Sequence, residues 1–337
     1  MWTVGVIGIG SFGQKRVETL LGLTDQVEKV VIFDQDLKLV DQVAQKLANS
    51  KLTSVQTAED IFNDPNIEII CISSPNSTHP AYCLAGLEHN KHVLCAKPIT
   101  ADMQIARGLV RTARKHSRLI MPGTNHRYFP SIQQALALVK DGKLGKLYSL
   151  HASIGTNGKR IQKSWFWKKE LAVGGTMIDN GHHLLDLALL FCGPFEQCMG
   201  HTSRRQWQDS EVEDYAVAIF EASTGQKKNG YEAVLRSSWR QPDGYLELEL
   251  WGEKGLLKIV AGAEEKLTLV TDTETINQDF STFPKDSLQK EVETFLELCQ
   301  KPEQHLEETS QLLLSLTSMI QGFYHSQHTG RISKLRL

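Results

Sequence analysis

Three glycines near the amino terminus have the spacing of a phosphate-binding turn. Gly8, Gly10 and Gly13 follow an apolar run, Thr3 to Ile9, and precede a segment of helical character, Gln14 to Leu21. In such a turn the first glycine permits the sharp bend, the second lets backbone approach a pyrophosphate, and the third lets the helix pack closely against the strand. The pattern therefore predicts a dinucleotide site.

The residues around this turn also indicate which dinucleotide would bind. Ser11 and Phe12 open the helix, whose first amide groups and positive dipole end favour a phosphate. About 20 residues further on, a second apolar run ends at Asp34, whose carboxylate can accept hydrogen bonds from both ribose hydroxyls of an adenosine. A 2′-phosphate there would meet like charge, and neither Gln35 nor Asp36 supplies a cation. NAD is therefore predicted as the cofactor in preference to NADP.

Two polar loops follow later strands of the same pattern. The first loop contains Ser74, Pro75, Asn76 and His79, and the second contains Lys97 and Pro98. Because ligands of a doubly wound sheet bind beyond the carboxyl ends of its strands, both loops are expected to reach the cofactor. Lys97, held between a buried strand and a proline, is placed to hydrogen-bond a substrate hydroxyl beside the nicotinamide. A solvated surface lysine is the simpler alternative.

A cluster of polar residues interrupts an apolar helix in the second half of the chain. Asp179 and His183 are four residues apart, which places them on one helix face. An imidazole oriented by a carboxylate suits a general base that removes the proton of an alcohol while hydride leaves the carbon. Lys97 would stabilise the developing alkoxide. The predicted catalytic residues are therefore Lys97, Asp179 and His183.

Other interpretations stay open for this cluster. Asp179, His182, His183 and Asp186 could ligate zinc, since its ligands also occur at helical spacing. Hydride transfer to a nicotinamide needs no metal, however, and neither a cysteine nor a distant histidine pair completes the set, so we predict no metal site. A histidine satisfied in the core is a further alternative, more plausible for His182 than for His183.

The substrate-binding residues are predicted less directly. Trp165 lies in a segment, Lys159 to Lys169, that combines aromatic rings with cations. Aromatic faces stack on sugar rings, and cations suit a phosphate or nucleotide group, which favours a sugar or sugar nucleotide over a free cyclitol. Tryptophans packed in the core beneath a solvated basic loop explain the segment equally well. Arg127 and Asn180 are two further candidates for substrate contact.

Five motifs occur in the order typical of one family. Besides the glycine turn and the loops at Ser74 and Lys97, they are Gly123-x-Asn125-x-Arg127 and Gly174-Gly175-x-x-x-Asp179-x-Gly181-x-His183. Over nearly the whole chain, the sequence resembles the glucose-fructose oxidoreductase, inositol dehydrogenase and MocA family. The resemblance implies a Rossmann domain followed by a substrate domain, with catalytic roles for Lys97, Asp179 and His183. One position differs, since Ala96 precedes the lysine where the family usually has glutamate.

These residues predict an NAD-dependent oxidoreductase acting on CH–OH groups. Its expected reaction is oxidation of a secondary hydroxyl of a sugar, sugar nucleotide or cyclitol to a ketone. One alternative is a myo-inositol or other cyclitol 2-dehydrogenase. Another is a catalytically silent, dinucleotide-sensing regulator of the same fold, for which Ala96 is a hint. The intact set of Lys97, Asp179 and His183 argues against the regulator.

The order of the predicted elements indicates an α/β protein of two domains. Residues 1–123 alternate apolar runs with helical segments, which is typical of a doubly wound Rossmann sheet, and residues 124–337 predict an α+β domain with a large, mostly antiparallel open sheet. Turns are expected at Pro242-Asp243-Gly244 and at Gly252 to Gly255. Helices on one sheet face leave the other for a second copy, so a homodimer or homotetramer is predicted.

Composition sets wider limits. The 337 residues carry a formal net charge of -2, with 41% hydrophobic and 23% charged residues, so no basic surplus suggests nucleic acid as a partner. No apolar run is long enough to span a membrane. The six cysteines form no Cys-x-x-Cys pair and are expected to be buried thiols. With an amino terminus that does not resemble a signal peptide, they predict a cytoplasmic protein.

Overall fold

The computed structural model describes residues 1–222 and 230–336. The chain divides into two compact units, one made of Met1–Thr124 with Leu288–Thr317 and the other of Asn125–Ser287 with Ser318–Leu337. The segment Leu288–Thr317 thus groups with the first unit, whereas the division predicted at residue 123 assigns it to the second. Within the described ranges, no helix is both long enough and apolar enough to cross a bilayer.

The first unit is built on a six-stranded parallel sheet with helices between its strands. Its elements up to residue 124 are β1 (Trp2–Ile7), α1 (Ser11–Gly22), β2 (Val27–Phe33), α2 (Leu37–Leu47), β3 (Leu52–Ser54), α3 (Ala58–Asn63), β4 (Ile69–Ile72), α4 (His79–Glu88), β5 (His92–Ala96), α5 (Met103–His116) and β6 (Ile120–Gly123). The strand order is β3-β2-β1-β4-β5-β6, which confirms the doubly wound prediction.

Alternate side chains of the central strands fill two separate cores, one on each face of this sheet. Val4 and Val6 of β1 belong to one core, and Ile7 belongs to the other. In β4, Ile69 and Ile70 divide between the two cores in the same way. Because both faces are covered, these strands have continuous apolar sequences without polar alternation.

The second unit is built on a nine-stranded sheet. The elements from residue 130 onward are α6 (Pro130–Lys140), β7 (Leu147–Asn157), α7 (Lys169–Ala172), α8 (His182–Cys192), β8 (Gln197–Ser203), β9 (Tyr215–Ala222), β10 (Tyr231–Ser238), β11 (Arg240–Gly252), β12 (Gly255–Ala261), β13 (Glu265–Thr271), β14 (Thr275–Asp279), α9 (Ser287–Leu298), α10 (Pro302–Thr329) and β15 (Ser333–Lys334). The residues of α9 and α10 from Leu288 to Thr317 group with the first unit. The order is β14-β13-β12-β11-β7-β10-β9-β8-β15, and among the described strands of this sheet only β7 and β10 pair in parallel. The predicted mostly antiparallel sheet is confirmed.

One predicted turn of this sheet is wrong. At Pro242-Asp243-Gly244 the chain does not reverse, because β11 continues from Arg240 to Gly252 with a register shift between Arg240 and Tyr245. An irregularity of this kind bends a strand without ending it. The turn predicted at Gly252 to Gly255 does connect β11 to β12.

Candidate active site

Backbone contacts shape the glycine turn between β1 and α1. Gly8 has a φ of +87°, and a Cβ on it would lie 2.5 Å from the backbone nitrogen of Ser74. A Cβ on Gly13 would lie 2.0 Å from the carbonyl oxygen of Gly8, so α1 can approach the strand only because this residue is glycine. A Cβ on Gly10 would meet no atom within 4 Å. Open space therefore lies beside Gly10, where the helix begins.

Asp34, directly after β2, faces the same turn. Its Oδ2 accepts a hydrogen bond from the backbone N–H of Ile9 at 2.8 Å, and its Oδ1 accepts one from Asp36 at 3.0 Å. After β4, the hydroxyl of Ser73 is buried and has no hydrogen-bond partner among the described residues. Open space at Gly10, an oriented carboxylate and an unsatisfied buried hydroxyl fit a dinucleotide, which the start of α1 and Asp34 would hold.

His79 fastens the loop after β4 to the loop after β5. Its Nδ1 lies 2.7 Å from the carbonyl oxygen of Pro98, and its Nε2 lies 2.8 Å from that of Ser74. Burial lowers the pKa of His79, although its hydrogen bonds to the two carbonyls oppose the shift. The ring is fully buried and both nitrogens face backbone, so His79 positions the two loops. The cofactor contact predicted for His79 stays a prediction.

The other predicted groups of the first unit lie at the ends of parallel strands. Lys97 is half-buried and comes directly after β5, next to Pro98. Pro75 leads into a turn of 3-10 helix, Asn76–Thr78, and the hydroxyl of Ser74 lies 2.6 Å from that of Thr78. Since the strands are parallel, these loops share the carboxyl edge of the sheet with the glycine turn and Asp34.

The polar residues predicted on the apolar helix lie where a π-helical turn enters α8. The π turn covers Met177–Gly181 and contains Asp179 and Asn180, while His183 is the second residue of α8. Asn180 donates a hydrogen bond from Nδ2 to the hydroxyl of Thr156 at 2.9 Å. Single π turns inside helices are rare and frequently occur at functional sites.

A buried carboxylate holds the start of this π turn. Glu213 accepts hydrogen bonds from the backbone N–H groups of Gly175 and Met177 at 3.0 and 3.2 Å, and from the hydroxyl of Tyr324 at 2.7 Å. A Cβ on Gly175 would lie 2.0 Å from the carbonyl oxygen of Glu213, which explains the second glycine of the pair. Burial raises the pKa of Glu213, and its hydrogen bonds oppose that shift.

A cavity of about 680 Å³ in the second unit includes two of the predicted residues, Asn180 and His183. The ring of His183 is buried, and its centroid lies 3.7 Å from that of His126, which in turn lies 4.6 Å from Phe129. The polar and aromatic side chains of the lining belong to Asn125, His126, Phe129, Thr156, Arg160, Asn180, His183, Asp243, Tyr245, Glu265, Lys285, Asp286 and Ser287.

Arg127 is engaged by a buried carboxylate. Its Nε donates to Oδ2 of Asp186 at 3.0 Å, and a terminal amine donates to Oδ1. The Asp186 side chain is 1% exposed and that of Arg127 is 20% exposed. Such a bidentate pair fixes both planar groups, so Arg127 has a structural partner besides the substrate contact predicted for it.

The aromatic segment before α7 divides between core and surface. Trp167 is buried in a cluster with Val212 and Trp239. Trp165 is half-buried, and its ring stacks on that of Phe166 at a centroid distance of 3.9 Å. Core packing therefore accounts for Trp167, whereas the substrate contact predicted for Trp165 stays a prediction.

Two residues that sequence reasoning did not select, His126 and Trp239, take part in this region, and so does Arg160 of the predicted basic segment. His126 contacts His183, Arg160 lines the cavity, and Trp239 donates a hydrogen bond from its indole to Oδ2 of Asp179 at 3.0 Å. His126 lies inside the Gly123-x-Asn125-x-Arg127 motif, which is the one sequence clue to it. Across the described residues, no three or more His, Cys, Asp or Glu side chains form a group that could hold a metal.

The two units together define a class of protein with a dinucleotide-binding Rossmann sheet and a second, mostly antiparallel sheet. Residues 2–124 match the model of an oxidoreductase family with an NAD-binding Rossmann fold, and residues 132–258 match the GFO/IDH/MocA C-terminal domain. The chain belongs to the GFO/IDH/MocA family, as its motifs predicted.

Curated relatives and a solved structure show further similarity. The chain is 30% identical to D-glucoside 3-dehydrogenase of Escherichia coli (strain K12) over 56% of its own length and 54% of that protein's. It is 26% identical to scyllo-inositol 2-dehydrogenase (NADP(+)) of Bacillus subtilis (strain 168) over 63% and 57%. The chain thus spans little more than half the length of these relatives. A levoglucosan dehydrogenase in complex with NADH and L-sorbose shares the fold, with a TM-score of 0.84, 16% identity, and coverage of 100% and 99%.

Proposed function

We propose that the protein is an NAD-dependent dehydrogenase that oxidises a secondary hydroxyl of a sugar, sugar nucleotide or cyclitol to a ketone. One observation carries the proposal: His183 and Asn180 line a cavity in a chain whose other unit matches an NAD-binding oxidoreductase domain. The cavity volume lies within the usual range for small-molecule sites. Two relatives support the substrate class, because their names describe dehydrogenation of a glucoside and of an inositol.

The proposed roles follow from the chemistry of alcohol oxidation. His183 accepts the proton of the reacting hydroxyl, and Lys97 donates a hydrogen bond to the same oxygen and stabilises its negative charge. Bound NAD⁺ supplies the hydride acceptor. The carbon loses a hydride and the oxygen loses a proton, which leaves a ketone. Asp179 orients His183 or holds a neighbouring hydroxyl of the substrate.

The lining of the cavity supports a sugar or cyclitol as the substrate. Tyr245 and Phe129 supply aromatic surface for the apolar face of a ring, while Asn180 and Arg160 supply hydrogen-bond donors for hydroxyl groups. Arg160 and Lys285 are cations that also suit a phosphate, so they are the part of the lining that favours a sugar nucleotide. A cyclitol 2-dehydrogenase is the second candidate, favoured by the inositol-acting relative.

The preference for NAD rests on Asp34. Its two oxygens already accept backbone N–H groups, which fixes the carboxylate where the ribose hydroxyls of an adenosine would bind. A 2′-phosphate would be repelled by this charge. Comparing kcat/KM for NAD and NADP tests the preference, and a higher value for NADP would overturn it.

We also propose that a second copy of the chain covers the outer face of the nine-stranded sheet. Met199 and Ile219 lie opposite each other in β8 and β9, and Val260 lies on β12. These three apolar side chains are 40 to 50% exposed. Exposed apolar side chains spread over one face of a sheet suit contact with a second subunit. Light scattering in solution tests the proposal, and a monomeric mass would contradict it.

The function is tested by following NADH absorbance with a panel of sugars, sugar nucleotides and cyclitols. We expect turnover with members of one class, and the Lys97→Met variant to lose at least about a thousandfold in kcat because the oxygen loses its cationic donor. Lys115→Met, at an exposed position of α5, is the matched control.

Binding of NADH to Lys97→Met, measured by fluorescence, separates a lost catalytic group from a lost fold. Turnover of Lys97→Met equal to that of Lys115→Met would refute the role of Lys97. Tight NAD binding without turnover on any member of the panel would instead support a dinucleotide-sensing regulator.

A further inference from the structure

A fully buried tryptophan contacts the proposed catalytic carboxylate. The indole Nε1 of Trp239 donates a hydrogen bond to Oδ2 of Asp179 at 3.0 Å, and the Trp239 side chain has no exposed surface. Neither composition nor motif spacing singles out this tryptophan, since it is 60 positions away from Asp179 in the chain. The contact joins the end of β10 to the π turn.

Trp239 is held rigidly by its own backbone. Its N–H donates to the carbonyl oxygen of Asp214 at 2.9 Å, and its carbonyl oxygen accepts from the N–H of Gly158 at 2.8 Å and from Nε1 of Trp207 at 3.0 Å. Its ring packs in a cluster with Trp167 and Val212. A donor fixed by three backbone hydrogen bonds and a packed ring loses little conformational freedom when it binds an acceptor.

The chemistry of this contact suits orientation of a charge. A hydrogen bond from an N–H to an ionised carboxylate is shorter and stronger than one between neutral groups. An indole has one N–H and no acceptor, so it can satisfy one oxygen of Asp179 but cannot take its proton. The bond therefore limits rotation of the carboxylate and leaves its Oδ1 for other donors.

We propose that Trp239 is a positioning residue that orients the Asp179 carboxylate through its indole N–H. The inference rests on the proposed function, in which Asp179 acts on His183 or on a substrate hydroxyl. Without the N–H, the carboxylate samples orientations that do not support the reaction, and kcat falls while the fold persists.

The experiment compares Trp239→Phe with Trp167→Phe in the full-length protein. Both substitutions remove an indole from the same buried cluster. The Nε1 of Trp167, however, has no hydrogen-bond partner among the described residues, so its loss changes packing alone. We expect kcat to fall about tenfold or more in Trp239→Phe and less than about threefold in Trp167→Phe, as for a lost charge-assisted hydrogen bond. Equal losses in the two variants would overturn the inference.

A double-mutant cycle gives a second readout, which requires neither cofactor nor turnover. Urea unfolding, followed by circular dichroism, is measured for Trp239→Phe, Asp179→Ala and the double variant. A direct bond predicts that the two substitutions are non-additive by about tenfold in the unfolding equilibrium constant. The corresponding cycle of Trp167→Phe with Asp179→Ala is expected to be additive. Additivity in both cycles would refute the hydrogen bond itself.

Failure of this inference can be distinguished from failure of the proposed function. If Asp179→Ala is impaired in turnover while Trp239→Phe is not, the role of Trp239 is wrong and that of Asp179 stands. If Asp179→Ala turns over like the unmodified protein, the catalytic role of Asp179 is wrong, whatever the unfolding cycle reports about the bond.

Discussion

The cofactor region of the first unit and the cavity of the second unit are made from different parts of the chain. Around Gly8, Gly10 and Gly13 the surface consists mostly of backbone. Its shape depends on the lack of a side chain at each glycine. The cavity wall consists of side chains from distant segments. Asn125 and Ser287, for example, are 162 positions apart and hydrogen-bond at 3.0 Å.

For this reason the cofactor region is easier to predict from sequence than the cavity. A site of backbone amides needs glycines at fixed spacing on one strand–turn–helix. A side chain would collide with the chain itself at Gly8 and Gly13, and at Gly10 it would enter the space left for the ligand. A site of side chains needs only that the fold bring suitable groups together, and many sequences can do so. The first kind tolerates few substitutions without loss of folding, whereas the second tolerates changes that alter chemistry alone.

The largest effects are expected when a methyl group is added, in separate variants, at two glycines of the same turn. We expect Gly13→Ala to destabilise the protein by at least about 4 kcal/mol, because its Cβ would lie 2.0 Å from backbone that cannot move aside. Gly10→Ala should keep the stability of the unmodified protein but bind NADH at least about tenfold more weakly, since its Cβ would enter the open space. Thermal unfolding and NADH fluorescence measure the two effects. Equal melting temperatures for the two variants would show that backbone contacts do not shape the turn.

A second test determines whether Arg127 of the second unit stabilises the fold or contacts the substrate. Arg127→Leu leaves the buried carboxylate of Asp186 without this guanidinium, so we expect a loss of about 3 kcal/mol in the free energy of unfolding. Arg127→Leu with Asp186→Leu should recover most of that loss, because no charge is left buried. Urea unfolding measures both. If the double variant regains its stability but has a strongly raised KM for the sugar, the substrate contact predicted for Arg127 is supported.

The smallest effect concerns His92, the first residue of the strand that leads to Lys97. Burial, with the nearby charge of Arg118, lowers the pKa of His92 from 6.5 to about 4, and its Nδ1 accepts the N–H of Leu119 at 3.0 Å. The folded state therefore holds a neutral ring. The contribution of the neutral His92 ring to the free energy of unfolding is fully present above pH 6.5, the ordinary pKa. It is lost progressively as the pH falls from there towards the lowered pKa of about 4. We expect the unmodified protein to lose about 2 kcal/mol between pH 7 and pH 5 through this group.

His92→Asn should remove this part of the acid sensitivity, because asparagine offers an acceptor that does not titrate. His328→Asn, at an exposed position, is the control. Urea unfolding at the two pH values measures the difference. The same slope in both variants would exclude His92 as a source of acid sensitivity.

Most of the first unit could be predicted from sequence because its central strands contain continuous apolar runs, such as Val30 to Phe33 in β2 and Ile69 to Ile72 in β4. The exceptions are β3, which has three residues with exposed or half-buried side chains, and the six-residue helix α3. Neither is long enough to show a period. In the second unit, β8 and β14 have no apolar pattern that predicts a strand, since both are rich in polar residues and lie near the ends of the sheet. The segment Leu288–Thr317 carries no sequence clue that it belongs with the first unit.

Candidate site residues could be predicted from the sequence where they belong to a short motif of consecutive or nearly consecutive positions. Sequence reasoning could not predict the π turn that carries Asp179, or that Glu213 accepts hydrogen bonds at its start. The two backbone N–H groups that Glu213 binds there lie 36 and 38 positions away from it in the chain. Likewise, the burial of His79 between two carbonyl oxygens follows from where two loops meet. Local spacing identified these residues as important, but it did not assign their contacts.

The Rossmann sheet, the glycine turn and the family could be predicted from the amino-acid sequence, since each is a short-range pattern set by sterics and by the period of apolar side chains. The contacts between Arg127 and Asp186, between His126 and His183, and between Trp239 and Asp179 are seen only in the folded chain. Hydrogen bonds and ring contacts of this kind act over a few ångströms. A chain brings such groups within reach only by folding, so their partners are not written in the spacing of the residues that carry them.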